Sequence, residues 1–277
     1  MSDEFSVRRD GVTLSGEENG IGPAIVLLHG LTATRRYVVM GSRALERSGH
    51  RVLSYDARGH GHSTPAPDSR AYGYEHLAAD LEAVLDAAGI VRGVLAGASM
   101  GAHTAVNLAL LRPERVAALG LITPSFDPSQ ARTPASFADW DALAEGLRQG
   151  GVEGFVRAYD LNAVPHAWRE TVTTVLRQRL SAHEHPDAVA DALEVVPRSC
   201  PFDDIGELAA IKVPTVVVAS RDEADPGHPL EVGERYAQAI PDARLIVEDA
   251  GPPRRSPIAW QGGQLSKVLA ELIASAA

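Results

Sequence analysis

The 277-residue chain contains a single cysteine, Cys200, so no internal disulfide can staple it and its stability must come from a buried core. No apolar run approaches the roughly 20 residues that a membrane-spanning helix requires. Basic residues are also short: 26 Lys and Arg stand against 36 Asp and Glu, and the formal charge of −10 argues against nucleic acid or anionic membrane as partners. The start, Met1-Ser2-Asp3-Glu4, is acidic where a secretory signal would be basic. A cytoplasmic, unprocessed protein is expected. No cofactor is expected either, because Gly59-x-Gly61 lacks the third glycine and the helix of a dinucleotide fingerprint. A metal is not expected: His183-Glu184-His185 places its imidazoles on alternate residues, which do not converge on one ion if helical. One further absence matters most. The chain has ten histidines, and none follows His228.

With 45% hydrophobic and 22% charged residues, the composition suits one enzyme-sized folding unit. Asp10-Gly11 between Phe5–Arg9 and Val12–Ser15 predicts an opening hairpin. The unbroken run Ala24–Leu28 suits a strand covered on both faces, and Arg51–Tyr55, Val94–Ala96, Val116–Ile122, Thr215–Ala219 and Arg244–Val247 read as further strands. Helical spacing predicts helices over about 38–48, 74–88, 103–111, 229–240 and 261–274. This alternation means a mostly parallel sheet with helices on both faces, and such sheets place their sites at the carboxyl ends of the strands. From 124 to 211 the alternation stops, and helices are predicted over 136–149, 152–159, 166–180 and 186–195. The expected organisation is a core of 1–123 and 212–277 carrying a helical cap at 124–211.

The chemistry-bearing residues fall at strand ends. Gly97-Ala98-Ser99-Met100-Gly101 lies between a strand and a helix, the context in which Gly-x-Ser-x-Gly holds a serine out on a sharp turn. His29-Gly30 ends an earlier strand, Asp56-x-Arg58-Gly59-x-Gly61-x-Ser63 ends another, and Asp222 and Asp225-Pro226 follow Thr215–Ala219.

Together these motifs resemble the α/β-hydrolase family, over nearly the whole chain. The resemblance implies an eight-stranded α/β sheet with a lid, and a serine, an acid and a histidine met in that order. It makes Ser99 the nucleophile and assigns the oxyanion hole to the backbone N–H groups of Leu31 and Met100. Asp225 best matches the family's acid position, with Asp222 the alternative, and Asp56 with Arg58 resembles a loop-bracing pair. A serine rather than a carboxylate at the elbow favours ester, thioester or lactone substrates.

The pattern fails at its third member. The family's histidine should follow the last strand, where this chain has Glu248 to Pro257, and Pro252 or Pro253 occupies its place. Recruitable bases are His29 and His228. His103, His60, His62 and the cap residues His166, His183 and His185 are weaker candidates. Arg254 and Arg255 could hold an anionic substrate group but cannot serve as a base. Two functions are therefore expected: a serine hydrolase acting on a small, largely apolar acyl compound with an atypical base, or a hydrolase-fold lyase, isomerase, cyclase or ligand-binding protein without a working triad. In either case the partner is a small molecule.

Overall fold

The computed structural model describes residues 3–130, 132–248 and 257–276. Eight strands form one sheet: β1 (Asp3–Arg9), β2 (Val12–Asn19), β3 (Ala24–Leu28), β4 (Arg51–Tyr55), β5 (Gly93–Ala98), β6 (Val116–Ile122), β7 (Thr215–Val218) and β8 (Arg244–Ile246). Their order is β1-β2-β4-β3-β5-β6-β7-β8, antiparallel from β1 to β4 and parallel from there on. The central strands β3, β5 and β6 are apolar at almost every position because helices cover both faces of the sheet.

The helices are α1 (Ala44–Arg47), α2 (Tyr74–Ala87), α3 (Met100–Leu111), α4 (Ala138–Ala158), α5 (Arg169–Leu180), α6 (Pro186–Val195), α7 (Leu230–Ala239) and α8 (Gly262–Ser275). Buried residues of α2, α3 and α7 share one core with one sheet face, including Leu81, Leu85, Val106 and Tyr236. On the other face Leu45 of α1 and Leu265, Leu269 and Ile273 of α8 pack against Ile25, Leu27 and Val94. Full burial of one such leucine contributes roughly 1.5–3 kcal/mol. Among the described residues, no helix is long and apolar enough to cross a membrane.

The helix predicted over 38–48 is only four residues long, preceded by a 3₁₀ turn at Arg35–Tyr37. Met40 and Gly41 take φ of 50° and 68°, which ends any helical run between them and α1. Beside this irregular segment lies a polar cavity of about 470 Å³, lined by Arg35, Arg43, Glu17, Glu46 and Asp56 among others, with Ser99 outside it.

Between β6 and β7 the chain leaves the sheet. The two helices predicted over 136–149 and 152–159 are α4, one element kinked at Gly150 and Gly151, where Gly151 adopts φ 56°. α4, α5 and α6 bury their own cluster, including Leu143, Leu147, Phe155, Leu176 and Val189, with Leu31 from the end of β3 packed against it.

Asp56 and Arg58 do not brace each other. Asp56 pairs with Arg35, and Arg58 makes a bidentate pair with Asp80 at 2.7 Å through Nε and Nη2, both side chains being at most 1% exposed. Two separate ion pairs thus hold the 56–63 loop.

Candidate active site

The turn between β5 and α3 is strained at one residue. Ser99 has φ 49° and ψ −113°, a conformation that costs a non-glycine residue roughly 1–3 kcal/mol and persists only where the surroundings enforce it. Here the Ser99 N–H donates to the Ile122 carbonyl of β6 at 3.0 Å, and the Ser99 carbonyl accepts from the His103 N–H at 3.0 Å. The flanking glycines are sterically required. A Cβ on Gly97 would stand 2.2 Å from the Gly101 carbonyl carbon, and one on Gly101 would stand 2.3 Å from the Leu28 oxygen.

Gly30 lies directly against this elbow, since a Cβ placed on it would meet that of Ser99 at 3.4 Å. Leu31 follows, then Thr32 with φ 66°. Among the described residues no acceptor pairs with the Leu31 N–H, and Met100, as the first residue of α3, has no intrahelical partner for its own. Two unpaired amides therefore lie beside the serine, at the positive end of a helix. The Ser99 hydroxyl itself touches the Ser125 hydroxyl at 3.5 Å. No imidazole or carboxylate of the described residues hydrogen-bonds it.

Several histidines converge nearby, and three of them, His29, His103 and His183, have both ring nitrogens engaged. His29 takes the Ala57 N–H on Nε2 at 2.9 Å, so its Nδ1–H donates to the Gly30 carbonyl at 2.8 Å. Burial lowers its pKa against the opposing charge of Asp56. It is held neutral with no nitrogen left for Ser99, which removes it as a base. His103 accepts the N–H groups of Ser125 and Phe126 on Nε2, at 3.0 and 3.1 Å, and its Nδ1 donates to the Tyr74 hydroxyl. Burial, aided by the charge of His228, pushes it down to about 3. His183 reaches down from the end of α5, where Nδ1 accepts the Gly61 N–H and Nε2 donates to the Thr32 carbonyl. His60, buried between His29 and His183, donates from Nδ1 to the Arg58 carbonyl. His62 pairs with Glu184 at 2.6 Å, and His166 is exposed.

His228 is arranged differently. Its Nδ1 donates to Asp225 Oδ1 at 2.8 Å, and both side chains are only about a fifth exposed, at 22% and 23%. Burial opposes the ionisation of Asp225, but the charge and hydrogen bond of His228, with Arg179 adding, hold its carboxyl below the usual range. Asp222 is pushed the other way, by burial and then by the neighbouring Asp225 and Glu248, although the Ala224 N–H partly offsets this. Its Oδ2 accepts from Trp260 Nε1 at 2.9 Å, tying the acid loop to the start of the last helix. Of the two acids the sequence offers, only Asp225 holds an imidazole. Pro252, Pro253, Arg254 and Arg255 lie outside the described residues.

Sequence reasoning missed three residues that the fold brings to this region. Ser125, just past β6, touches Ser99; Arg179 donates from Nη2 to the Leu31 carbonyl at 3.1 Å and to the Thr32 hydroxyl at 3.2 Å; Tyr159 lies within the fields of Asp225 and Arg179. The three stand in loops or on α5, where nothing local distinguishes them from surface residues.

A family model described as alpha/beta hydrolase fold matches residues 23–187, more than half of the chain. The chain belongs to the α/β-hydrolase fold family. It is 31% identical over 230 residues to a protein of Pseudomonas savastanoi pv. phaseolicola named as the carbamate hydrolase RutD, covering 83% of this chain and 86% of that one. A Pseudomonas putida protein named 2-hydroxy-6-oxononadienedioate/2-hydroxy-6-oxononatrienedioate hydrolase 2 is 31% identical over 259 residues, 89% of this chain and 88% of its own. Among solved structures, an esterase of Thermogutta terrifontis superposes with a TM-score of 0.77 at 25% identity, over 99% of both chains. An enol-lactonase of Burkholderia xenovorans does so with a TM-score of 0.74 at 25% identity, over 98% of this chain and 100% of its own. These α/β-hydrolase relatives are named as hydrolases of different bonds, and they support assigning this chain to the hydrolases.

Proposed function

We propose that the chain is a serine-dependent hydrolase of ester, thioester or lactone type, acting on a small and largely apolar acyl compound. The observation that carries this reading is the strained Ser99, held beside two unpaired amides. Attack by Ser99 Oγ on the acyl carbon would move charge onto the carbonyl oxygen, where the Leu31 and Met100 N–H groups serve as the oxyanion hole. Loss of one such donor typically costs about 3–4 kcal/mol of transition-state stabilisation.

The triad is incomplete in its usual form, because no histidine follows His228. The acid loop supplies the base instead. With Nδ1–H directed to Asp225, the His228 ring presents Nε2 as a proton acceptor, in the tautomer that a general base requires. The proton leaves Ser99 for Nε2 across one water or hydroxyl, or directly once bound substrate has drawn the groups together. The leaving group then takes that proton, and water attacks the acyl-serine by the reverse path. Residues 124–211 form the cap, and the apolar surface of Leu31, Met100 and Tyr159 favours small apolar acyl groups. The acidic surface suits a cytoplasmic enzyme with small-molecule partners.

A second reading, a hydrolase-fold lyase, isomerase, cyclase or ligand-binding protein, is favoured by the lack of a direct hydrogen bond between Ser99 and any described base. One experiment separates the two. Wild type and Ser99→Ala are assayed on short-chain aryl esters and thioesters and treated with a serine-directed phosphonate. The hydrolase reading expects a covalent adduct on Ser99 and a fall of roughly a thousandfold or more in Ser99→Ala. Equal rates and no adduct would leave the second reading.

A further inference from the structure

Three successive carbonyls in the turn after β3 are each held by a side chain. The Gly30 oxygen accepts from His29 Nδ1 at 2.8 Å, the Leu31 oxygen from Arg179 Nη2 at 3.1 Å, and the Thr32 oxygen from His183 Nε2 at 3.0 Å. Peptide planarity gives this arrangement a consequence. Fixing the Gly30 oxygen fixes the Leu31 N–H, which points the opposite way in the same plane. Fixing the Leu31 and Thr32 oxygens sets the next two planes, so the φ and ψ of Leu31 and the left-handed φ of 66° at Thr32 have little freedom left.

Two of these three donors come from the end of α5, about 150 residues away in sequence. The same segment is tied to the 56–63 loop: the Gly61 N–H donates to His183 Nδ1 at 2.9 Å, and the Glu184 N–H donates to the Gly61 oxygen at 3.0 Å. Arg179 is costly where it stands, since its Nε is buried with no hydrogen-bond partner among the described residues. An arginine serving only to pack the helix would leave its guanidinium in water, as Arg177 does on the same helix with Glu153. The groups facing His183 are His29, His60, Asp56 and Arg179, and the ring is held neutral among them.

We propose that Arg179 and His183 are positioning residues, which clamp the Leu31–Thr32 turn from the cap and thereby aim the Leu31 amide at the oxyanion. This rests on the reading of Leu31 as an oxyanion donor. It makes the cap part of the catalytic geometry rather than only a cover over the pocket.

The test reads the turn and the chemistry separately, in Arg179→Met, Arg179→Lys, His183→Ala and His183→Gln. Amide hydrogen exchange in the peptide spanning 29–34 is expected to rise at least roughly tenfold in Arg179→Met and His183→Ala, with β5 and β6 unchanged, because local opening no longer breaks the clamp. The maximal rate of Ser99 phosphonylation is expected to fall about 10- to 100-fold, with its half-saturating concentration unmoved. His183→Gln, which can still accept and donate, and Arg179→Lys should recover most of that rate. Unchanged exchange in the 29–34 peptide would overturn the clamp. So would faster exchange with an unchanged phosphonylation rate in a protein whose wild type labels at Ser99. A wild type that does not label at all would instead sink the hydrolase reading, and the exchange measurement would still decide whether α5 holds the turn.

Discussion

On the nucleophile side of the candidate site, position is set by backbone: a strained φ at Ser99, glycines with no room for a Cβ, and amides left unpaired by a helix start and a turn. On the acid side, position is set by side chains: Asp225 holding His228, and Asp222 holding Trp260. The difference teaches how each half can change. A backbone device tolerates few substitutions, because the steric conditions admit little but glycine, whereas an imidazole can be delivered from any nearby loop provided its nitrogen reaches. Under the proposed mechanism, that asymmetry lets the elbow stay intact while the base comes from another loop.

The comparison can be sharpened first on the acid side. Asp225→Asn is expected to lower kcat/KM by roughly 10²- to 10⁴-fold, since the amide can present the wrong group to His228 Nδ1 and disfavour the productive tautomer. Asp222→Asn should cost only a few-fold, because that carboxylate serves the loop and Trp260. Equal losses in the two variants would mean that the pair at 225 and 228 has no special role.

The nucleophile side should break through its scaffold. Asp80→Ala leaves the Arg58 guanidinium buried without its carboxylate, and breaking a buried pair of this kind costs about 3–5 kcal/mol. Denaturant unfolding should show that loss as a lowered midpoint with an unchanged m-value. A change under about 1 kcal/mol would show that the Arg58 pair is not what holds the 56–63 loop.

Much of the nucleophile side was legible in the sequence because its determinants are local. Gly97, Ser99 and Gly101 lie within five residues, and the unbroken runs at Ala24–Leu28 and Val116–Ile122 announce strands covered on both faces. The helix expected over 38–48 was misjudged for a physical reason: Val38, Val39 and Leu45 are all buried, as in a helix, but the backbone turns left-handed at Met40 and Gly41. Partners distant in sequence were the least visible. Arg177 and Arg179 sit two residues apart on α5, yet one pairs with Glu153 at the surface and the other reaches Leu31. No local pattern separates them. Asp56 and Arg58 likewise resembled the family's loop-bracing pair, where tertiary packing gives each a different partner.

A smaller effect follows from His103, which braces Ser125 beside Ser99. Its pKa falls from 6.5 to about 3 on burial. The unfolded chain therefore binds a proton that the folded one does not, and folding stability is complete above about pH 6.5 and lost as pH falls towards 3. The slope should approach roughly 1.4 kcal/mol per pH unit for this group. His183, held at about 4, adds in the same direction over a narrower range. Unfolding free energies measured between pH 7 and 4 should fall with acidity, and His103→Gln should flatten the curve. An unchanged slope in that variant would show that His103 is not held neutral by its surroundings.

The most direct test of the account is the rate at which a phosphonate labels Ser99 in wild type, Asp225→Asn and His228→Ala. If the acid loop supplies the base, His228→Ala labels about 10²- to 10⁴-fold more slowly than wild type at neutral pH. Equal labelling rates in wild type and His228→Ala would contradict the account and place the base elsewhere.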